Sequence, residues 1–184
     1  MDNIPEQAVN SEQRGGNKLK VVEARTNVKD SDRMCGLLEY GMRVEKIEEK
    51  WDTFDKLVGE YKKKDFTGEI KVNLVNGKAG NGQVKDGILE LSLPTDEELN
   101  SQQEWKTFFE SKGLNYENVL IFSTTSTALH EGGHIMLDSR PGSKLAEDCK
   151  NIGLENDPNG HTLSLLDEGI VYAYQFLQDE KTRC

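Results

Sequence analysis

Residues 118–137 read NVLIFSTTSTALHEGGHIML, with His130-Glu131-Gly132-Gly133-His134 near the end. The stretch is free of proline and stops at Asp138, Ser139 and Pro141-Gly142, which predicts one helix over 118–137. Ser123, Thr127, His130, His134 and Leu137 then share one stripe, while Val119, Phe122, Ala128, Leu129, Ile135 and Met136 fill its flanks. A helix apolar on most sides and polar around its histidines is a buried helix that faces a site. Gly132 and Gly133 each cost about 1 kcal/mol of helix propensity relative to alanine, so a close approach by a neighbouring backbone is expected there.

On such a helix the four-residue step places both imidazoles on one face, one turn apart, with Glu131 rotated to the side. Two nitrogens so placed can reach one ion at about 2.0–2.1 Å. By composition alone, the pattern H-E-x-x-H arises on the order of once in a few hundred chains of this length. The bland alternative is a pair of surface or core histidines flanking a glutamate. All three histidines of the chain fall between 130 and 161, which favours a metal. A catalytic zinc takes three protein ligands and keeps one position open, so a third donor must come from another element. Glu168, Asp167, His161, Asp138, Glu147, Asp148 and Glu155 are the candidates.

The stretch 165–174, LLDEGIVYAY, resembles the glutamate helix of the gluzincins, zinc peptidases in which a Glu-Gly or Glu-Ala step follows the H-E-x-x-H helix. In order and length, residues 70–178 are similar to the small members of that clan, the minigluzincins. The resemblance implies an α+β, zincin-like fold: a small antiparallel sheet packed on an active-site helix and a glutamate helix, here preceded by a long N-terminal helix. It implies one zinc ion per chain held by His130, His134 and Glu168, a peptide or protein substrate, and hydrolysis in which Glu131 is the general base. It would also make residues 87–92 the rim that pairs with extended substrate. No third histidine continues the motif, which argues against the metzincins. Tyr172 stands where thermolysin-like members carry an aspartate that supports a zinc ligand. Tyr172, Tyr174 and His161 are the groups at hand to stabilise an oxyanion, and Tyr172, one turn after Glu168, is the first choice.

The remainder of the chain sets bounds. With 184 residues and a formal charge of -10, it has length for one compact domain plus an appendage, and an acidity that repels phosphate backbones and anionic lipid heads. Neither nucleic acid nor membrane is an expected partner. The first thirty residues hold no apolar run of signal-peptide type, and Cys35, Cys149 and Cys184 are too scattered for a disulfide framework, so a cytoplasmic location is expected.

Residues 1–18 are polar and predict a disordered tail. After Ser31 and Asp32, apolar residues from Met34 to Tyr61 recur at steps of three and four, predicting one long amphipathic helix within an N-terminal helical segment, 19–66. The catalytic domain would occupy 67–184. Its start alternates with period two at Ile70, Val72 and Leu74 and at Leu89, Leu91 and Leu93, predicting an antiparallel pair joined through 76–82. Thr95 with Glu98 predicts a capped helix running past Trp105 and Phe109 to Gly113. Ser143 predicts a short helix and 153–160 a loop; the last helix is expected to begin near Thr162 or Ser164, where Ser164 with Asp167 makes a capping box, and to end near 178. Two other functions fit the same residues: a catalytically silent or latent zinc-binding domain acting through protein contacts, and a metal-free interaction module built on the 34–61 stripe. Zinc content separates them.

Overall fold

The computed structural model describes residues 18–25, 31–152 and 161–182. The expected tail at 1–17 and the 153–160 loop lie outside these residues. Within them the fold is α+β, with seven α-helices and a four-stranded mixed sheet in the order β1-β2-β4-β3. The strands are β1 (Lys18–Arg25), β2 (Glu69–Asn76), β3 (Gly82–Lys85) and β4 (Ile88–Leu93).

The expected antiparallel pair is not formed: β2 and β4 run parallel, with Val72 opposite Leu89 and Leu74 opposite Leu91, and β1 joins β2 in parallel as well. The cause is a two-residue turn at Asp86-Gly87. Both residues have positive φ, 53° and 74°, the conformation of a type I′ hairpin whose twist matches its strands. The turn folds β3 antiparallel onto β4, Lys85 opposite Ile88, and seats β4 between β2 and β3. β4 is therefore interior and paired on both sides, so residues 87–92 do not supply an open rim. Among the described residues β3 takes this edge of the sheet and β1 the other.

The expected long N-terminal helix is two helices, α1 (Ser31–Val44) and α2 (Ile47–Val58). Lys46 breaks it by adopting a left-handed conformation, φ 52°. The break lets Leu38 and Met42 of α1 and Ile47, Trp51, Phe54 and Val58 of α2 all enter one core. Leu57, on the same sequence stripe, remains exposed. The capped helix after Thr95 is likewise divided, into α3 (Asp96–Ser101) and α4 (Gln103–Ser111).

α5 (Tyr116–Met136) crosses the centre of the molecule. Asn115 caps it by accepting a hydrogen bond from the Asn118 amide at 3.0 Å, satisfying one of the orphan donors of the first turn. One side of α5 meets β3 and β4, another meets α1 and α2, and a third meets α7 (His161–Thr182). Its C-terminal end is held by the segment after α2, where the Lys63 amide donates to Met136 O at 2.9 Å and the Asp138 amide to Tyr61 O at 2.7 Å. α6 (Lys144–Asn151) follows, capped by the Ser143 hydroxyl.

The two motif glycines are explained by side chains rather than by a neighbouring backbone. A Cβ on Gly132 would overlap the Trp51 indole, and one on Gly133 would lie 3.1 Å from Val171 and 3.4 Å from Phe54. Trp51, fully buried, donates from its indole to Leu129 O at 3.4 Å. Gly132 thus admits α2 against α5, and Gly133 lets α7 close in beside the histidines.

Candidate metal centre

His130 and His134 project from the last two turns of α5 toward α7, and Glu168 on α7 meets them. His130 Nε2 and His134 Nε2 are 3.1 Å apart, His130 Nε2 and Glu168 Oε2 3.2 Å, and His134 Nε2 and Glu168 Oε2 3.4 Å. Among the described residues these three donors form a group that could hold a metal ion. In a tetrahedral zinc site with bonds of 2.0–2.1 Å, neighbouring ligand atoms lie about 3.3–3.4 Å apart, so the observed triangle is nearly the face of such a tetrahedron. Two imidazole nitrogens and one carboxylate oxygen are also a donor set that zinc accepts. The residues present fit the ion.

The other ring nitrogens are treated unequally. His134 Nδ1 faces Asp167 Oδ1 at 2.9 Å, and Asp167 is buried. A carboxylate in that place holds the ring in the tautomer that presents Nε2 to a metal. Burial alone would lower the His134 pKa, but the Asp167 hydrogen bond and the charges of Asp167, Glu168 and Glu131 outweigh it, and the group titrates above the ordinary histidine value. His130 Nδ1 is buried with no hydrogen-bond partner among the described residues. Its ring rests against the Tyr172 ring, centroids 4.4 Å apart.

Asp167 takes a part that the sequence reading does not assign to it. It was open as a direct ligand and as the partner of Ser164 in a capping box, yet α7 already begins at His161, so Ser164 lies inside the helix and needs no cap. The available signal was position: a residue next to Glu168 on a helix points about 100° away from it and can still reach the neighbouring histidine.

The remaining candidates for third donor are elsewhere. Asp138 pairs with Arg140 at 2.9 Å, which holds its carboxyl below the usual range. Asp148 accepts from the Tyr61 hydroxyl at 2.9 Å and pairs with Lys144. Glu147 is exposed on α6, Glu155 is outside the described residues, and the same holds for the side chain of His161.

Glu131, His130, Glu168 and Tyr172 line one side of a cleft of about 650 Å³ between α5, α7 and the start of β3. Burial raises the Glu131 pKa above the usual carboxylate value; His134 and His130 oppose the rise and Glu168 adds to it. The cleft's far wall is set by the Thr127 hydroxyl, which donates to Gly80 O at 2.7 Å and so ties the loop before β3 to α5. Tyr174 does not reach the cleft: it is buried, 4.7 Å from Phe54 between ring centroids, and donates to Lys50 O at 2.5 Å.

No protein-family model, curated protein or solved structure matches the chain. The class is therefore carried by the site: a His130/His134/Glu168 triad, with HxxxH on one helix and the glutamate on a later one, consistent with a zincin-like centre. Among the described residues no helix is long and apolar enough to cross a membrane.

Proposed function

We propose that the chain is a zinc-dependent peptidase. The observation that carries this reading is the convergence of three neutral-or-anionic donors within 3.1–3.4 Å of one another, beside a half-buried glutamate that is not one of them. A site meant only to brace the fold has no use for that glutamate and usually fills its fourth position with protein.

Zinc bound at this triad supplies Lewis acidity at the scissile carbonyl and makes an adjacent water acidic, toward a pKa of about 7. Glu131 takes the proton of the attacking water and returns it to the leaving amine. Its desolvation suits the first of these transfers, because a carboxylate of raised pKa takes a proton more readily. Tyr172, at the cleft edge and in ring contact with His130, donates its hydroxyl to the oxygen that gains charge. Asp167 keeps His134 aligned throughout. The substrate main chain is received by β3. In its hairpin register the peptide groups of Gly82 and Val84 point away from β4, toward the open edge of the sheet, and Gly82 lines the cleft.

The test is metal analysis together with peptide cleavage. The purified protein should carry about one equivalent of zinc, His134→Ala should lose it, and Glu131→Gln should keep the metal while cleavage falls by about 10²–10⁴. A Glu131→Gln protein that cleaves peptides as well as the parent would refute the assignment. If parent and variant both bind zinc and neither cleaves, the site binds metal without turnover.

A further inference from the structure

We infer that the cleft is a groove for the interior of a chain, taking an extended peptide whose bulky apolar side chain rests on Phe122, so that the activity is that of an endopeptidase selective at a position remote from the cleaved bond. This rests on the reading of the site given above.

The groove has a direction. Val119, Phe122, Ser126 and His130 recur on α5 at steps of three and four, and all line the cleft, so its floor is one helical stripe leading away from the metal donors. The wall follows the same line. A Cβ on Gly80 would strike Ser123, and a Cβ on Gly82 would lie 2.6 Å from Thr127 and 3.3 Å from Glu131. The chain entering β3 therefore advances along α5 toward the donors, and a strand added to its open edge would lie along the helix.

Spacing then places the apolar contact. Phe122 precedes His130 by two turns, about 12 Å at 1.5 Å per residue, which an extended peptide covers in roughly three to four residues. Phe122 is 57% exposed on an otherwise well-covered helix. On its other side lies a second hollow, about 150 Å³, bounded by Leu37, Tyr40 and Val44 of α1. Tyr40 and Val44 are themselves more than half exposed. The apolar surface is thus continuous from the cleft across Phe122 to α1, an arrangement that marks a binding surface rather than scattered exposure.

The charge of the lining disfavours acidic substrates. The charged residues lining cleft and hollow are Glu131, Glu168 and Glu45, and among the described residues no lysine or arginine lines either. Away from the metal donors, a free C-terminal carboxylate or an acidic side chain would find no cationic side chain among the described residues that line the groove. The groove suits neutral, apolar sequence that continues through it.

Full-length zinc-loaded Glu131→Gln protein, which does not need to turn over, would be titrated with two fluorescent decapeptides blocked at both ends. One carries leucines, and the other has aspartate in each leucine position. The leucine peptide should bind at least tenfold more tightly, and Phe122→Ala in the same background should weaken it about tenfold, while Phe108→Ala on α4 leaves it unchanged. Equal binding of the two peptides, no binding of either, or indifference to Phe122→Ala overturns the groove. Parent enzyme given the leucine peptide should cleave an internal bond at a fixed distance from a leucine. Trimming from the ends of unblocked peptides instead overturns the endopeptidase assignment. Binding of the leucine peptide without cleavage by the parent would sink the peptidase reading while leaving the groove standing.

Discussion

Asp167 Oδ1 lies 2.9 Å from His134 Nδ1, and the chain reaches that position one residue before the carboxylate that faces His134 from the other side. A single dipeptide on α7 thus addresses both nitrogens of one imidazole, Glu168 at Nε2 and Asp167 at Nδ1.

Replacing Asp167 by asparagine keeps the shape and removes the charge that fixes the His134 tautomer. Zinc affinity should fall about 10–100-fold, measured by competition with a chromophoric chelator, with the helical signal unchanged. Unaltered affinity would mean that the hydrogen bond does not serve the metal.

Tyr172→Phe separates the hydroxyl from the ring. The ring contact with His130, 4.4 Å between centroids, survives in the variant, so zinc content should not change. The turnover number should drop about 10²–10³-fold with little effect on KM if the hydroxyl meets the oxyanion. A normal turnover number would leave Tyr172 as packing for His130 alone.

Gly132→Ala should destabilise the fold by about 1–3 kcal/mol, because the added methyl overlaps the fully buried Trp51 indole, which must shift to admit it. Combining it with Trp51→Phe should recover part of the loss relative to the sum of the single changes, as read from urea unfolding. Strict additivity would show that the two residues do not compete for the same volume.

Tyr174 gives a pH signature. Burial raises its pKa to about 12, against about 10 in an unfolded chain. A group whose folded pKa is raised contributes stability that is complete below the unfolded value and is lost as pH climbs through the folded one. Stability should therefore decline between about pH 10 and 12, and Tyr174→Phe should flatten that decline while costing about 1 kcal/mol at neutral pH for the hydrogen bond to Lys50 O. An unchanged alkaline profile in the variant would assign the decline to other groups.

Removing metal should lower the melting temperature, since an ion that binds only the folded state at a hundredfold excess over its Kd contributes about 2.7 kcal/mol. For a chain of this size that is roughly 5–10 °C, and the shift should vanish in His134→Ala. A chelator without effect on melting would argue that the triad does not hold an ion under those conditions.

The elements that the sequence by itself determined are those whose causes lie within a few residues. The H-E-x-x-H spacing is enough to set His130 and His134 on one face of α5, because a helix repeats every 3.6 residues wherever it is packed, and Ser143 caps α6 through a bond only three residues long. Long-range choices were not legible in the same way. Period-two alternation at 70–74 and 89–93 announces strands but is silent about which neighbour each will pair with, and the sequence reading takes the glycine-rich segment 76–82 as the turn, passing over a second, Asp86-Gly87. Only the second forms the hairpin, which is why β4 is interior and β3 carries the open edge. The apolar stripe from 34 to 61 is real, yet one left-handed residue, Lys46, turns it into two helices that grip α5 from different angles. The division of labour between Asp167 and Glu168 was settled in the same way. Both are acidic, adjacent and on one helix, and it is the packing of Val171 against Gly133 and of Tyr174 against Phe54 that sets how α7 is rotated, and so which carboxylate faces the donors and which stands behind them.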